Sequence, residues 1–162
     1  LARALIVGCG CRGRLLGTRL LDEGWAVRGT SRTAEGLAQI EAAGIEAAIA
    51  DPDRPGTLIE LIGDVTVVHW LLGSADGEPE ALAAIHGPRL ERFLEMLVDT
   101  PVRGLVYEAA GTVDAQALER GMAAAEAAGA TWRIPVELVA ADPAQPDSWA
   151  ETMLAATKRL TT

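Results

Sequence analysis

One lysine, one tyrosine, one phenylalanine and two cysteines in 162 residues set the first limits on this chain. Aromatic residues make up only 4%, and Lys and Arg never cluster into a run. A protein that grips a phosphodiester backbone needs a basic face. A net charge of −9 and a pI of about 4.7 exclude nucleic acid as the main partner. Long apolar runs are also missing. None approaches the ~18 residues of a membrane span, so no membrane partner is expected. Leu1 to Val7 is too short for an export leader. Cys9 and Cys11 stand too close for an ordinary structural disulfide. With no His or further Cys nearby they make a poor zinc site, so no metal is expected. Nothing in this cysteine usage points to an oxidising compartment, and the expected location is the cytoplasm.

Hydrophobic residues make up 49% of the chain and mean hydropathy is +0.19, which fits a folded globular protein. The length suits a single domain over residues 1–162. Apolar runs at Leu5–Val7, Trp25–Arg32, Gly44–Asp51, Asp64–Leu72, Val102–Tyr107 and Thr131–Ala140 read as six strands. Helical patterns lie between them: one from Leu15 to a close at Gly24, then Glu35–Ala43, a short helix Thr57–Ile62, Glu80–Ile85, Arg89–Val98, and Ala115–Ala128 ended by Gly129. Ser148–Leu160 forms a terminal helix, and Pro135 implies an edge or a bend for the sixth strand. Alternating strands and helices predict an α/β fold, a three-layer doubly wound parallel sheet of the Rossmann type in the order 3-2-1-4-5-6.

The most informative stretch is Gly8-Cys9-Gly10-Cys11-Arg12-Gly13, a G-x-G-x-x-G between a strand and a helix. Gly8 permits a tight turn, Gly10 lets backbone approach a pyrophosphate, and Gly13 lets the helix pack close to the sheet. The first helical N–H groups then face the phosphates. The end of the second strand selects the nucleotide. An NAD site usually carries Asp or Glu there to hold the ribose hydroxyls. This chain has Thr30-Ser31-Arg32 instead. A guanidinium and hydroxyls suit a 2′-phosphate, so NADP is expected over NAD, with Arg12 as a second cation. The alternative is that Arg12 and Arg32 serve only as solvated loop residues. Asp51 either accepts from an adenine amine or opens the Pro52-Asp53 turn. Leu71 to Gly73, after the fourth strand, would line the far side. The expected cofactor-binding set is Gly8, Gly10, Cys11, Arg12, Gly13, Thr30, Ser31, Arg32, Asp51, Leu71 and Gly73.

Val7-Gly8-Cys9-Gly10 with Arg12-Gly13, followed by Gly24 to Arg32, resembles the extended and atypical short-chain dehydrogenase/reductase superfamily, nearest its sugar-nucleotide epimerase/dehydratase-like members. Asp51 matches that family's acidic adenine contact. Asp64–His69 resembles its fourth strand, and Val102–Tyr107 resembles the strand that leads into its catalytic serine or threonine. The resemblance covers roughly the first hundred and ten residues. It implies a Rossmann fold, a nicotinamide dinucleotide and oxidoreductase or epimerase chemistry.

The chain then departs from the pattern. Glu108-Ala109-Ala110-Gly111 stands where the family places its hydroxyl residue. The Tyr-x-x-x-Lys pair is absent, because Tyr107 is followed four residues later by Gly111 and the only lysine is Lys158. Hydride transfer to a carbonyl needs a proton donor at the developing oxyanion. The substitutes near strand ends are Glu108, His69 and Thr112. Glu108 reads as a base or a ribose contact, against a helix cap or a solvated residue, and His69, on an apolar strand, is more often a hydrogen-bonded core residue. The sequence therefore predicts a protein that binds NADP(H) without the usual catalytic residues, as a sensor or partner subunit. The alternative is an enzyme with substitute residues or with a site completed by another subunit. A third reading is a fold kept only as an interaction scaffold. Sheet-flanking helices allow a homo-oligomer or a protein partner, but no apolar stripe specifies one.

Overall fold

The computed structural model describes residues 1–162. Its elements are β1 (Arg3–Val7), α1 (Cys11–Asp22), β2 (Ala26–Ser31), α2 (Ala34–Ala42), β3 (Glu46–Ile49), a 3₁₀ segment (Pro55–Leu61), β4 (Val67–Trp70), α3 (Pro79–Ile85), α4 (Pro88–Met96), β5 (Gly104–Glu108), α5 (Ala115–Trp132), β6 (Val136–Val139) and α6 (Pro146–Arg159). The strands form one sheet in the order β3-β2-β1-β4-β5-β6, and every neighbouring pair is parallel. This is the expected doubly wound order. It reverses direction between β1 and β4, which opens a crevice at their carboxyl ends.

Strand β1 shows why a parallel sheet needs helices on both sides. Leu5 and Val7 enter a core that also holds Leu58, Leu90, Phe93 and Ala125, beneath the 3₁₀ segment, α4 and α5. Ala4 and Ile6 enter the opposite core with Leu16, Leu20, Ile40, Trp149 and Met153, beneath α1, α2 and α6. Each fully buried Leu, Ile or Phe contributes about 1.5–3 kcal/mol. Alternate positions of β4 and β5 divide the same way. Trp70 and Tyr107 face the α4/α5 side, while Val67 and Val106 face α1 and α6.

Several boundaries differ from the sequence reading. Helix α5 does not stop at Gly129. It runs on to Trp132 and closes at Arg133, which is left-handed at φ 56°. One glycine costs a helix only about 1 kcal/mol, and the alanines around it favour continuation. Gly129 answers a packing need, since a Cβ there would lie 2.8 Å from the Ile134 carbonyl oxygen and from Val136 Cγ2. The expected sixth strand shortens accordingly, because Thr131 and Trp132 belong to α5. Pro135 does mark the sheet edge: β6 begins one residue later, and the Pro135 carbonyl accepts from the Leu105 amide at 3.0 Å. At the opposite end of the sheet from the crevice, Arg28 donates to the Leu61 carbonyl and to both Asp64 carboxylate oxygens and pairs with Glu46, tying β2, β3 and the approach to β4. No helix is long and apolar enough to cross a membrane.

Candidate functional site

A cavity of about 810 Å³ lies at the carboxyl ends of the strands, centred on the turn from β1 into α1. The three glycines of that turn have separate duties. Gly8 sits at φ +82°, and a Cβ there would lie 2.5 Å from the Leu71 carbonyl oxygen. Gly13 packs α1 against β1, with a notional Cβ 3.3 Å from Ile6 Cγ2. Gly10 is different: a Cβ on it would meet nothing within 4 Å. Its missing side chain leaves open space in the cavity wall and serves no internal contact. Gly10 is also the N-cap of α1, and no side chain caps the helix. The first N–H groups of an uncapped helix have no intrahelical acceptor and favour an anion.

Three arginines line this space. Arg32 is exposed beyond β2 and makes no hydrogen bond or ion pair within the protein. Arg14 donates only to Gln39 Oε1, at 3.4 Å, from the second turn position of α1. Arg12 lies on the other flank of α1, close enough to Glu108 to stabilise its charge, and its Nε is buried without a partner. Ser31, Cys11, Asp51 and Leu71 also line the cavity.

Other expected residues take more structural parts. Thr30 is 2% exposed; its carbonyl accepts from the Cys9 amide at 3.1 Å and its hydroxyl from the Gly8 amide at 3.4 Å, so it braces the glycine turn from below. Asp51 Oδ1 accepts from the Asp53 amide at 2.9 Å, the turn-opening role, while its residue still borders the cavity. Gly73 is not at the surface of the cavity. It is buried behind it, with a notional Cβ 2.2 Å from the Ala110 carbonyl oxygen. Cys9 is buried and burial pushes its thiol up to about 12, whereas Cys11 is exposed. No group of three or more His, Cys, Asp or Glu side chains converges as a metal site.

The two catalytic candidates part company. His69 lies wholly inside the core, away from the cavity. The Thr157 hydroxyl donates to the Met153 carbonyl at 2.8 Å, so it accepts from His69 Nε2 at 2.7 Å. Burial pushes the His69 pKa down to about 4, which keeps the ring neutral. Glu108 does border the cavity but is only 2% exposed. Its Oε1 accepts from the Gly73 amide at 2.9 Å and its Oε2 from Trp149 Nε1 at 3.0 Å. Burial raises its pKa against the opposing pull of those two donors and of Arg12. With both oxygens engaged, Glu108 clamps the loop after β4 to the start of α6.

Sequence reasoning missed three residues of the rim and a buried pair beneath it. Arg14 was hidden by its proximity to Arg12, although two positions apart on a helix face different flanks. Gln39 carries no motif. Ser74 lies just past the expected Leu71–Gly73 segment, and its hydroxyl accepts from the Thr112 amide at 3.2 Å. Beneath the rim, His86 Nε2 donates to the Leu72 carbonyl at 2.8 Å, and the Tyr107 hydroxyl donates to His86 Nδ1 at 2.6 Å. Burial pushes the His86 pKa down and the Tyr107 pKa up, so both stay neutral. Gly121 makes room for this pair, because a Cβ there would lie 1.8 Å from the tyrosine oxygen.

No protein-family model matches the chain, and no curated protein matches its sequence. Solved structures do match its fold. A UDP-glucuronic acid 4-epimerase from Bacillus cereus in complex with NAD superposes at TM-score 0.69 and 13% identity, over 84% of this chain and 54% of that one. Yeast methylglyoxal/isovaleraldehyde reductase complexed with NADPH gives 0.66 and 14%, over 84% and 56%. Triphenylmethane reductase of a Citrobacter species complexed with NADP(H) gives 0.63 and 19%, over 83% and 48%. The likeness at these identities is one of fold, and the chain spans about half the length of the structures it matches.

Proposed function

We propose that this chain binds NADP(H) across its glycine turn, as a member of the short-chain dehydrogenase/reductase superfamily that lacks the family's catalytic residues and acts as a sensor or partner subunit. The observation that carries the reading is the unfilled space at Gly10 above an uncapped helix, flanked by cations without strong partners. The pyrophosphate would take the first N–H groups of α1 with Arg12. The adenosine half would lie toward Asp51, and a 2′-phosphate would meet Arg32 and Arg14. The two arginines favour NADP over NAD because no carboxylate ends β2, and Asp51, just past β3, is engaged in its own turn. The fold neighbours complexed with NAD or NADPH support a nicotinamide dinucleotide in general.

Such a cofactor supplies a hydride when bound. The residues that border its site here bind and orient it. Glu108 holds the wall with both oxygens, His69 is sealed in the core, and Ala109 and Ala110 carry no proton. A second reading, an epimerase-like or reductase enzyme whose site is completed by another subunit or by further chain, draws support from the half-length coverage of its fold neighbours. Calorimetric titration tests the binding both readings share, and a turnover assay separates them. NADPH is expected to bind tighter than NADH. Arg32→Ala should lower NADPH affinity about 10- to 100-fold, the loss of one charge-assisted contact, with little effect on NADH. Absence of binding by either dinucleotide at millimolar concentration overturns the reading, and NADPH turnover by the isolated chain overturns its non-catalytic part.

A further inference from the structure

We propose that Glu108 takes up a proton from solvent when the dinucleotide binds, because its carboxylate and the ligand's pyrophosphate compete for one counter-charge, Arg12. This rests on the NADP(H) reading above and makes occupancy of that site depend on proton concentration.

Glu108 is a buried carboxylate without an ion pair. Its Oε1 accepts from the Gly73 amide at 2.9 Å and its Oε2 from Trp149 Nε1 at 3.0 Å, and both donors are neutral. It also borders the cavity, so solvent protons reach it without crossing the core. An oxygen that accepts one N–H keeps a second lone pair. A proton can therefore join either oxygen while both hydrogen bonds persist.

Few charges surround the carboxylate. From α1 comes Arg12, which favours the ionised form. The loop after β4 presents the Gly73 amide, and α6 presents the Trp149 indole. Asp147, near the start of α6, is exposed and paired with Arg19 at 2.8 Å. On β5, Tyr107 points into the core on the opposite face of the sheet, where burial keeps it neutral. Arg12 itself is uncommitted: it forms no hydrogen bond or ion pair within the protein, and its Nε is buried without a partner. A pyrophosphate over the start of α1 brings negative charge beside Glu108 and draws on the same guanidinium. Both changes favour the neutral carboxyl.

The sign of the coupling follows. Burial already holds the pKa of Glu108 above the ordinary carboxylate value in the free chain, and the bound chain holds it higher still. Between the two values the bound form carries a proton that the free form has released. Affinity therefore falls as pH rises through that window, by at most about ten-fold per pH unit for one linked proton. Outside the window this group leaves affinity unchanged.

The test is calorimetric titration of the full chain and of Glu108→Gln with NADPH, from about pH 5 to pH 8, in pairs of buffers that differ in ionisation enthalpy. The dependence of the heat on buffer counts the protons exchanged per ligand bound. The difference between the two proteins cancels the titration of the ligand's own 2′-phosphate. Wild type should take up more protons than the glutamine variant, by a fraction that rises toward one inside the window and vanishes outside it. Infrared difference spectra of wild type on NADPH addition give a second readout, in which a carboxylate band is lost and a protonated carboxyl band is gained. Equal proton counts in the two proteins at every pH, or fewer protons taken up by wild type, overturns the proposal. If the variant does not fold, unchanged carboxyl bands across the same pH range overturn it. Failure of the wild type to bind NADPH overturns the dinucleotide reading itself, a distinct result.

Discussion

Replacing Glu108 distinguishes a carboxylate that builds the site from one that reacts in it. Its two oxygens take one buried N–H each, from Gly73 and Trp149. Glu108→Ala strands both donors. A buried donor without a partner costs about 1–3 kcal/mol, so the pair costs about 2–6 kcal/mol before any void is counted. Against a typical total of about 5–15 kcal/mol, that is enough to unfold a large share of the chain. Glu108→Gln keeps one accepting oxygen and turns an NH₂ toward the other donor, for a loss of about 1–3 kcal/mol. The pH dependence adds a second check. Burial holds the folded-state pKa of Glu108 above its ordinary value of about 4.3. Between the two values the folded chain keeps a proton that the unfolded chain has released, so stability falls as pH rises through that window. Glutamine has no such proton. The advantage of wild type over Glu108→Gln should therefore be greatest below about pH 4.3 and shrink as pH rises past the raised value. Urea unfolding of both proteins from about pH 4 to pH 8, taken as a difference at each pH, cancels the titrations they share. A difference that is flat or grows with pH refutes burial as the dominant influence. An alanine variant no less stable than the glutamine variant refutes the two-donor clamp.

Two further substitutions probe the glycine turn and the core. Gly10→Val puts a side chain into space that no protein atom occupies, so thermal stability should stay close to wild type while NADPH binding in a titration disappears. Retained binding would show that the open wall at Gly10 is not where the ligand lies. For His69 the folded-state pKa is about 4 against an ordinary 6.5, so the unfolded chain binds the extra proton between them. Stability should be full above pH 6.5 and fall by about 3 kcal/mol as pH drops toward 4, a slope that His69→Leu lacks in paired urea titrations.

The glycine turn was legible because its constraints are local. A tight turn at Gly8, an open wall at Gly10 and a close helix at Gly13 each follow from a missing Cβ. The strand order followed from alternation and handedness alone. Roles set by tertiary partners were not legible. Gly73 reads as a lining residue from its place after β4, yet it serves the apposition of two loops whose contact residues lie 35 or more positions apart. Nothing local announces that His86 and Tyr107, 21 residues apart, share a proton donor and acceptor inside the core. The length of α5 is not legible because Gly129, which reads as punctuation, serves as clearance for Ile134 and Val136. Glu108 follows β5 and borders the cavity, but only its neighbours reveal that its oxygens are already spent.

The register of β1 has a consequence for how the chain is made. Its right-hand neighbour is β4, so Ala4–Val7 wait for Val67–Trp70 before the centre of the sheet can close. The atoms that press on Gly8 come from Leu71 and Leu72, later still. On a ribosome the glycine turn emerges well before β4, and it takes its working shape only after about sixty further residues have followed it out. Until then β1, among the most apolar segments of the chain, has one free edge and only the 3₁₀ segment and its flanks to cover one face. A nascent chain stalled before residue 67 therefore presents a sticky strand and no ligand site, and ligand cannot rescue it. Once β4 has docked, ligand added during synthesis stabilises the completed fold in proportion to its concentration over Kd.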